Sequence, residues 1–248
     1  MDNLAGQEKL FNEILIYFDR LSIFFWLIPL PFAFFSWRRL EPSMKIFGAY
    51  LSVLLLLHIV EHVHIQTVLI NDPYWEFMKK FGIKDTNFFN ITYRIACLYF
   101  VGLFYDRVMR SSTRSIVAIK ELTLLLCIFS IFIYFFIDGF REYGTFNAIL
   151  VRVFQIGLSL FYIRQITQIK LSKSVFKNPV FLISLGILLP STITLIMSFI
   201  GDGLHESDFV LYVKAVIFRN VVGFAGDILF AISFYMCRLR PIHNLGIM

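Results

Sequence analysis

Apolar positions along this chain gather into seven long runs, at about residues 18–37, 46–70, 88–106, 116–137, 146–168, 179–200 and 210–237, with polar positions clustered between them. About twenty helical residues at 1.5 Å each cross the roughly 30 Å of bilayer hydrocarbon, so every run is long enough to span. The pattern predicts an all-α integral membrane bundle of seven transmembrane helices, forming one domain over residues 1–248. Asp19 and Arg20 interrupt the first run near its start, a position where the interface tolerates charge. Residues Met1 to Lys9 are polar and acidic and lack the basic segment, apolar core and small-residue site of a cleavable leader, so the first run is expected to persist as a helix. The longest connection, Asn71 to Asn87, reads as a polar surface segment whose Pro73, Tyr74 and Trp75 suit a membrane interface.

Composition strengthens this picture. Of 248 residues, 58% are hydrophobic, 16% are charged and 30 are Phe, with mean hydropathy +0.74, far more apolar surface than one water-soluble core can hide. The net charge of +6 does not point to nucleic acid, because the basic residues fall in short clusters between the runs. Counted by alternate loops, 13 Lys and Arg lie on one side (Arg38, Arg39 and Lys45 among them), 6 on the other, and 4 inside runs. The positive-inside rule then predicts an N-out, C-in topology. Cys97, Cys127 and Cys237 lie within or at the end of apolar runs and read as small buried hydrophobes. Pro29 and Pro31 in the first run and Pro190 in the sixth are expected to bend their helices and open space between neighbours.

Ionisable residues inside spans are expensive unless partnered or wet, so they mark the candidate chemistry. The second run holds His58, Glu61, His62 and His64; the first three fall within about 100° of helix arc, on one face, and His64 points elsewhere. His58, Glu61 and His62 also spell H-x-x-E-H, in which two imidazoles can hold Zn²⁺ and the carboxylate can act as base, although no third ligand is evident in the sequence. Counting residues from the predicted helix ends places Glu61, Arg94, Arg152 and Arg219 in one layer, roughly 9 to 14 Å below the outer surface. Three guanidiniums with one carboxylate and two imidazoles form a cationic group that an anionic ligand can complete. In the seventh run Asn220, Gly223 and Asp227 share a stripe; Gly223 is expected to admit a close helix neighbour, with Asn220 and Asp227 bonding across it or Asp227 serving as an ion or proton site.

Lys214 lies only about one turn into the last run, too early for a retinal Schiff base, and that run has no H-x-x-x-H pair of the kind found in zinc-dependent membrane hydrolases. Four features coincide along the chain: Glu61 in the second run, the asparagine-bearing TNFFNITY ending at Tyr93, the NPVFLISLG that opens the sixth run, and a polar last run ending ILFAISFYMCR. With these the chain resembles small uncharacterised seven-helix proteins of Bacteroidota; the resemblance implies a membrane protein working beside two-component signalling and supplies no catalytic residues. The leading expectation is a receptor-like protein that binds a small anionic or amphiphilic ligand and signals to a cytoplasmic partner. The alternatives are a metal-dependent hydrolase on His58 and His62, and an ion or proton channel or transporter. Beyond that possible zinc, no cofactor is expected.

Overall fold

The computed structural model describes residues 13–14, 25–70, 72–80, 88–110, 118–138, 145–169 and 175–239. Among them every regular element is helical: α1 (Pro29–Ser36), α2 (Pro42–Ile70), α3 (Asp72–Lys80), α4 (Phe88–Arg110), α5 (Ile119–Ile133), α6 (Thr145–Ile169), α7 (Pro179–Ser207) and α8 (Phe209–Leu239). A single π-helical turn, Tyr134–Asp138, extends α5. Six helices are long and apolar enough to cross a membrane: α2, α4, α5 with its extension, α6, α7 and α8. This fits a multi-pass membrane protein.

The first predicted run lies partly outside the described residues. Residues 25–27 form one helical turn, Ile28 keeps helical backbone angles, and α1 follows from Pro29, where a missing N–H does no harm. Within the 71–87 connection, expected as a polar surface segment, residues 72–80 form the short helix α3, with Pro73 near its start. Tyr74 and Met78, four residues apart, are half-buried, whereas Glu76, Phe77, Lys79 and Lys80 are exposed. The last two helices run beyond their predicted ends, since hydropathy marks where hydrocarbon stops and not where backbone hydrogen bonding does.

Local chemistry sets the helix starts. The Asn178 side chain accepts from Val180 N (2.9 Å) and Phe181 N (3.3 Å), with Pro179 at the first position of α7. Asp138 accepts from the Phe146 and Asn147 amides, each at 3.0 Å, bringing negative charge to the positive end of α6. Asp208 accepts from Leu211 N at 2.9 Å and so starts α8 directly after α7 ends.

The burial pattern is inverted relative to a soluble protein. On α5 the buried positions include Thr123 and Ser130, while Leu125 is 62%, Ile128 67% and, in the extension, Phe136 75% exposed. Polar groups turned inward beneath a large apolar exterior are stable when lipid is the solvent. The aromatic core sits toward the Leu239 end, where Phe47 packs against Phe104, Phe230 and Phe234 at ring separations of 5.2, 4.9 and 6.2 Å.

A close backbone-to-backbone crossing joins α7 to α8. A methyl group added at Gly226 falls 2.8 Å from the Gly186 carbonyl oxygen and 3.0 Å from the Pro190 ring; one added at Gly186 meets the Phe230 ring at 2.5 Å. Pro190 cannot donate to that Gly186 carbonyl, four residues back in the helix. The Cα–H groups of the two glycines therefore face each other's carbonyls, in the close contact that small residues permit in membranes. Gly223, expected to make this approach, has nothing within 4 Å of an added methyl. The sequence showed two glycines one turn apart on α8 but not which of them met a partner glycine.

Candidate functional site

Gly186, without a side chain, and Pro190, without a backbone donor, both lie within α7 and on the lining of a cavity. That cavity, of about 530 Å³, opens between α2, α6, α7 and α8, with Trp26 also on its lining. Its charged wall residues are Arg152 from α6 and Arg219 and Asp227 from α8. Asn220, Gly223, Gln155, Ser191 and Tyr50 add polar or open surface, and Phe224 and Phe230 add aromatic surface.

Arg152 Nη1 donates to Gln155 Oε1 at 3.0 Å, and Ser191 Oγ donates to the same oxygen at 2.9 Å. Gln155 thereby ties α6 to α7 and fixes the guanidinium on the wall. Arg219 Nη2 donates to Asn220 Oδ1 at 3.3 Å, a long bond that leaves most of its five-donor fork available. Asp227 is only 8% exposed and makes no hydrogen bond to another described residue. The Tyr50 hydroxyl, paired with Cys97 Sγ at 3.3 Å, lines the same cavity as Arg152 and Asp227.

The structure divides the cationic layer drawn from the sequence. Arg152 and Arg219 meet on the cavity wall, together with the Asn220, Gly223 and Asp227 stripe. His58, Glu61, His62 and Arg94 are not on that wall. Tyr93 on α4 donates to Glu61 Oε2 at 3.0 Å and lies 3.4 Å from His58 Nδ1, which is 3.8 Å from the same carboxylate oxygen. Trp26 lies between that cluster and the cavity lining, its ring 5.3 Å from that of His58. His62 is exposed. His64, on another face, pairs with Tyr74 of α3 at 2.8 Å. Residue counting supplies depth along each helix, but the direction in which a side chain points depends on how neighbouring helices pack.

Among the described residues no three His, Cys, Asp or Glu side chains come together as metal ligands, so zinc on His58 and His62 has no third protein ligand there. Sequence reasoning missed Gln155, Ser191, Tyr50 and Trp26. Only Gln155 carried a signal, three residues from Arg152 on the same helix face.

No protein-family model matches the chain, and no curated protein and no solved structure shows a significant match to it. What the cavity does must be argued from its own groups.

Proposed function

We propose that this chain is a receptor-like membrane protein of seven helices, N-out and C-in, that holds a small anionic or amphiphilic ligand in the α2–α6–α7–α8 cavity and passes a helix shift to a cytoplasmic partner. The seventh span in this reading is the run at 18–37, and the membrane is the bacterial inner one. The observation that supports it is the meeting of Arg152 and Arg219, from two helices, on one cavity wall. A guanidinium offers planar paired donors to a carboxylate or phosphate, and two on one cavity suit an anionic ligand. In this topology they lie about 10 and 15 Å from the outer helix ends, within reach of a ligand entering from outside. Occupancy shifts the helices insofar as the ligand binds one packing better than another.

The test is thermal unfolding of the purified protein in lipid nanodiscs, titrated with alkylphosphonates and fatty acids of graded length. Binding raises Tm with ligand concentration, and Arg152→Gln and Arg219→Gln each flatten the response. A wild-type protein indifferent to every anion in the series removes the reading.

A second reading rests on Asp227, a buried carboxylate on the same wall with no hydrogen bond among the described residues. Such a group suits a proton or cation site in a transporter. Liposome flux that Asp227→Asn abolishes supports that reading; absence of flux in the wild type sinks it.

A further inference from the structure

Outside the cavity, the face where α2 meets α4 gathers three side chains able to ligate a metal. His58 and Glu61 stand one turn apart on α2, and Tyr93 reaches both from α4. The Tyr93 oxygen lies 3.0 Å from Glu61 Oε2 and 3.4 Å from His58 Nδ1, and that nitrogen lies 3.8 Å from the same carboxylate oxygen. A phenol thus stands where the H-x-x-E-H pattern offered no third ligand, and the carboxylate joins it in place of His62.

Hydrogen bonding accounts for one side of this triangle but not for its shape. An N–H···O bond settles at about 2.9 to 3.0 Å, so the two His58 sides are wider than mutual bonding leaves them. Ligands of a tetrahedral ion bound at about 2.1 Å stand about 3.4 Å apart. The point equidistant from the three donor atoms is about 2.0 Å from each, close to the bond lengths of zinc to nitrogen and oxygen. An ion held slightly longer, at about 2.1 Å, sits just above the plane of the three and keeps a fourth position on its far side.

Charge suits a site within a span. A carboxylate and a phenolate neutralise a divalent ion, and a neutral imidazole adds a ligand without adding charge. The His58 and Glu61 side chains are 18% and 20% exposed, so the site is not sealed inside the bundle.

We propose that His58 Nδ1, Glu61 Oε2 and the Tyr93 oxygen bind a divalent transition ion of the zinc type, which clamps α2 to α4 and keeps its fourth position for water. On binding, the Tyr93 O–H bond breaks and its proton passes to water, leaving the oxygen to ligate as phenolate. The nitrogen donor and the low ligand count select against Mg²⁺ and Ca²⁺, which take six or more oxygen ligands. This inference goes beyond the receptor reading and does not rest on it.

Untagged protein in nanodiscs, stripped with a chelator, is titrated with Zn²⁺ by calorimetry and with Co²⁺ by visible absorbance. One equivalent of Zn²⁺ binds, Mg²⁺ and Ca²⁺ at about a hundredfold excess leave it in place, and bound Co²⁺ shows the intense bands of four-coordination. Zn²⁺ also produces the ultraviolet difference signal of a metal-bound phenolate. Tyr93→Phe keeps the ring, weakens Zn²⁺ binding about tenfold or more and abolishes that signal. A tyrosine that merely oriented Glu61 gives no such signal in the wild type. His58→Ala weakens binding about a hundredfold, whereas His62→Ala leaves it unchanged. Should His58→Ala fail to fold, the wild-type Co²⁺ bands and phenolate signal decide. Wild-type protein that binds no stoichiometric Zn²⁺, or binds it without the phenolate signal, overturns the inference. So does binding that is lost in folded His62→Ala but kept in Tyr93→Phe.

Discussion

Two stretches of the same α6 and α7 stripes treat buried polar groups in opposite ways. Near the Leu239 end, Tyr105 of α4, itself fully buried, bonds Ser159 Oγ of α6 and Ser184 Oγ of α7, each at 2.9 Å. One turn along α6 stands Gln155, and two turns along α7 stands Ser191; here the stripes part around the cavity. Small neutral hydroxyls satisfy one another and let the helices close. Around Arg152, Arg219 and Asp227 the interior stays open. The first arrangement joins helices, and the second makes a place for something else. Gln155, accepting from both Arg152 and Ser191, is where one becomes the other.

The largest test of this contrast touches the crossing that holds both stretches in place. Gly226→Leu drives a side chain into the Gly186 carbonyl and the Pro190 ring, and an overpacking cost of about 3 kcal/mol is expected to lower Tm sharply or prevent purification. Gly223→Ala, one turn away in open space, leaves Tm nearly unchanged in the same melt. Next in size, Arg219→Gln weakens anion binding about 30-fold, near 2 kcal/mol, with little change in the unliganded Tm. Tyr105→Phe does the reverse: loss of two hydrogen bonds lowers stability by about 1 to 2 kcal/mol while ligand affinity holds. If both variants shift the same observable, the division between joint and site is wrong. Smallest is Tyr93→Phe, which removes the bond to the partly buried Glu61 and is expected to cost about 0.5 to 1 kcal/mol in thermal stability without altering anion affinity.

The six long helices were legible in the sequence because lipid makes the same demand of each: about twenty apolar residues in a row. Their expected spans begin within a few residues of Pro42, Phe88, Ile119, Thr145, Pro179 and Phe209. Helix α3 was not legible, because its DPYWEFMKK sequence is mostly polar and its ordering comes from packing Tyr74 against His64. At the site, Asn220, Gly223 and Asp227 were readable as one stripe because period 3.6 is a property of a single helix. Which of Arg94, Arg152, Arg219 and Glu61 would meet was not readable, since that depends on how four helices are rotated against one another. Glu61 turned to Tyr93, while Arg152 and Arg219 turned to the space left by Gly186 and Pro190.

The glycine crossing also has a mechanical reading. Gly226 divides α8 unequally, with Arg219 about 10 Å to one side and Leu239 about 20 Å to the other. A straight rod held at that point is a lever with a gain near two: a 1 Å tilt of the arginine arm swings the far tip about 2 Å in the opposite direction. Neither arm need bend, because paired glycines at the fulcrum carry no side chains to jam it.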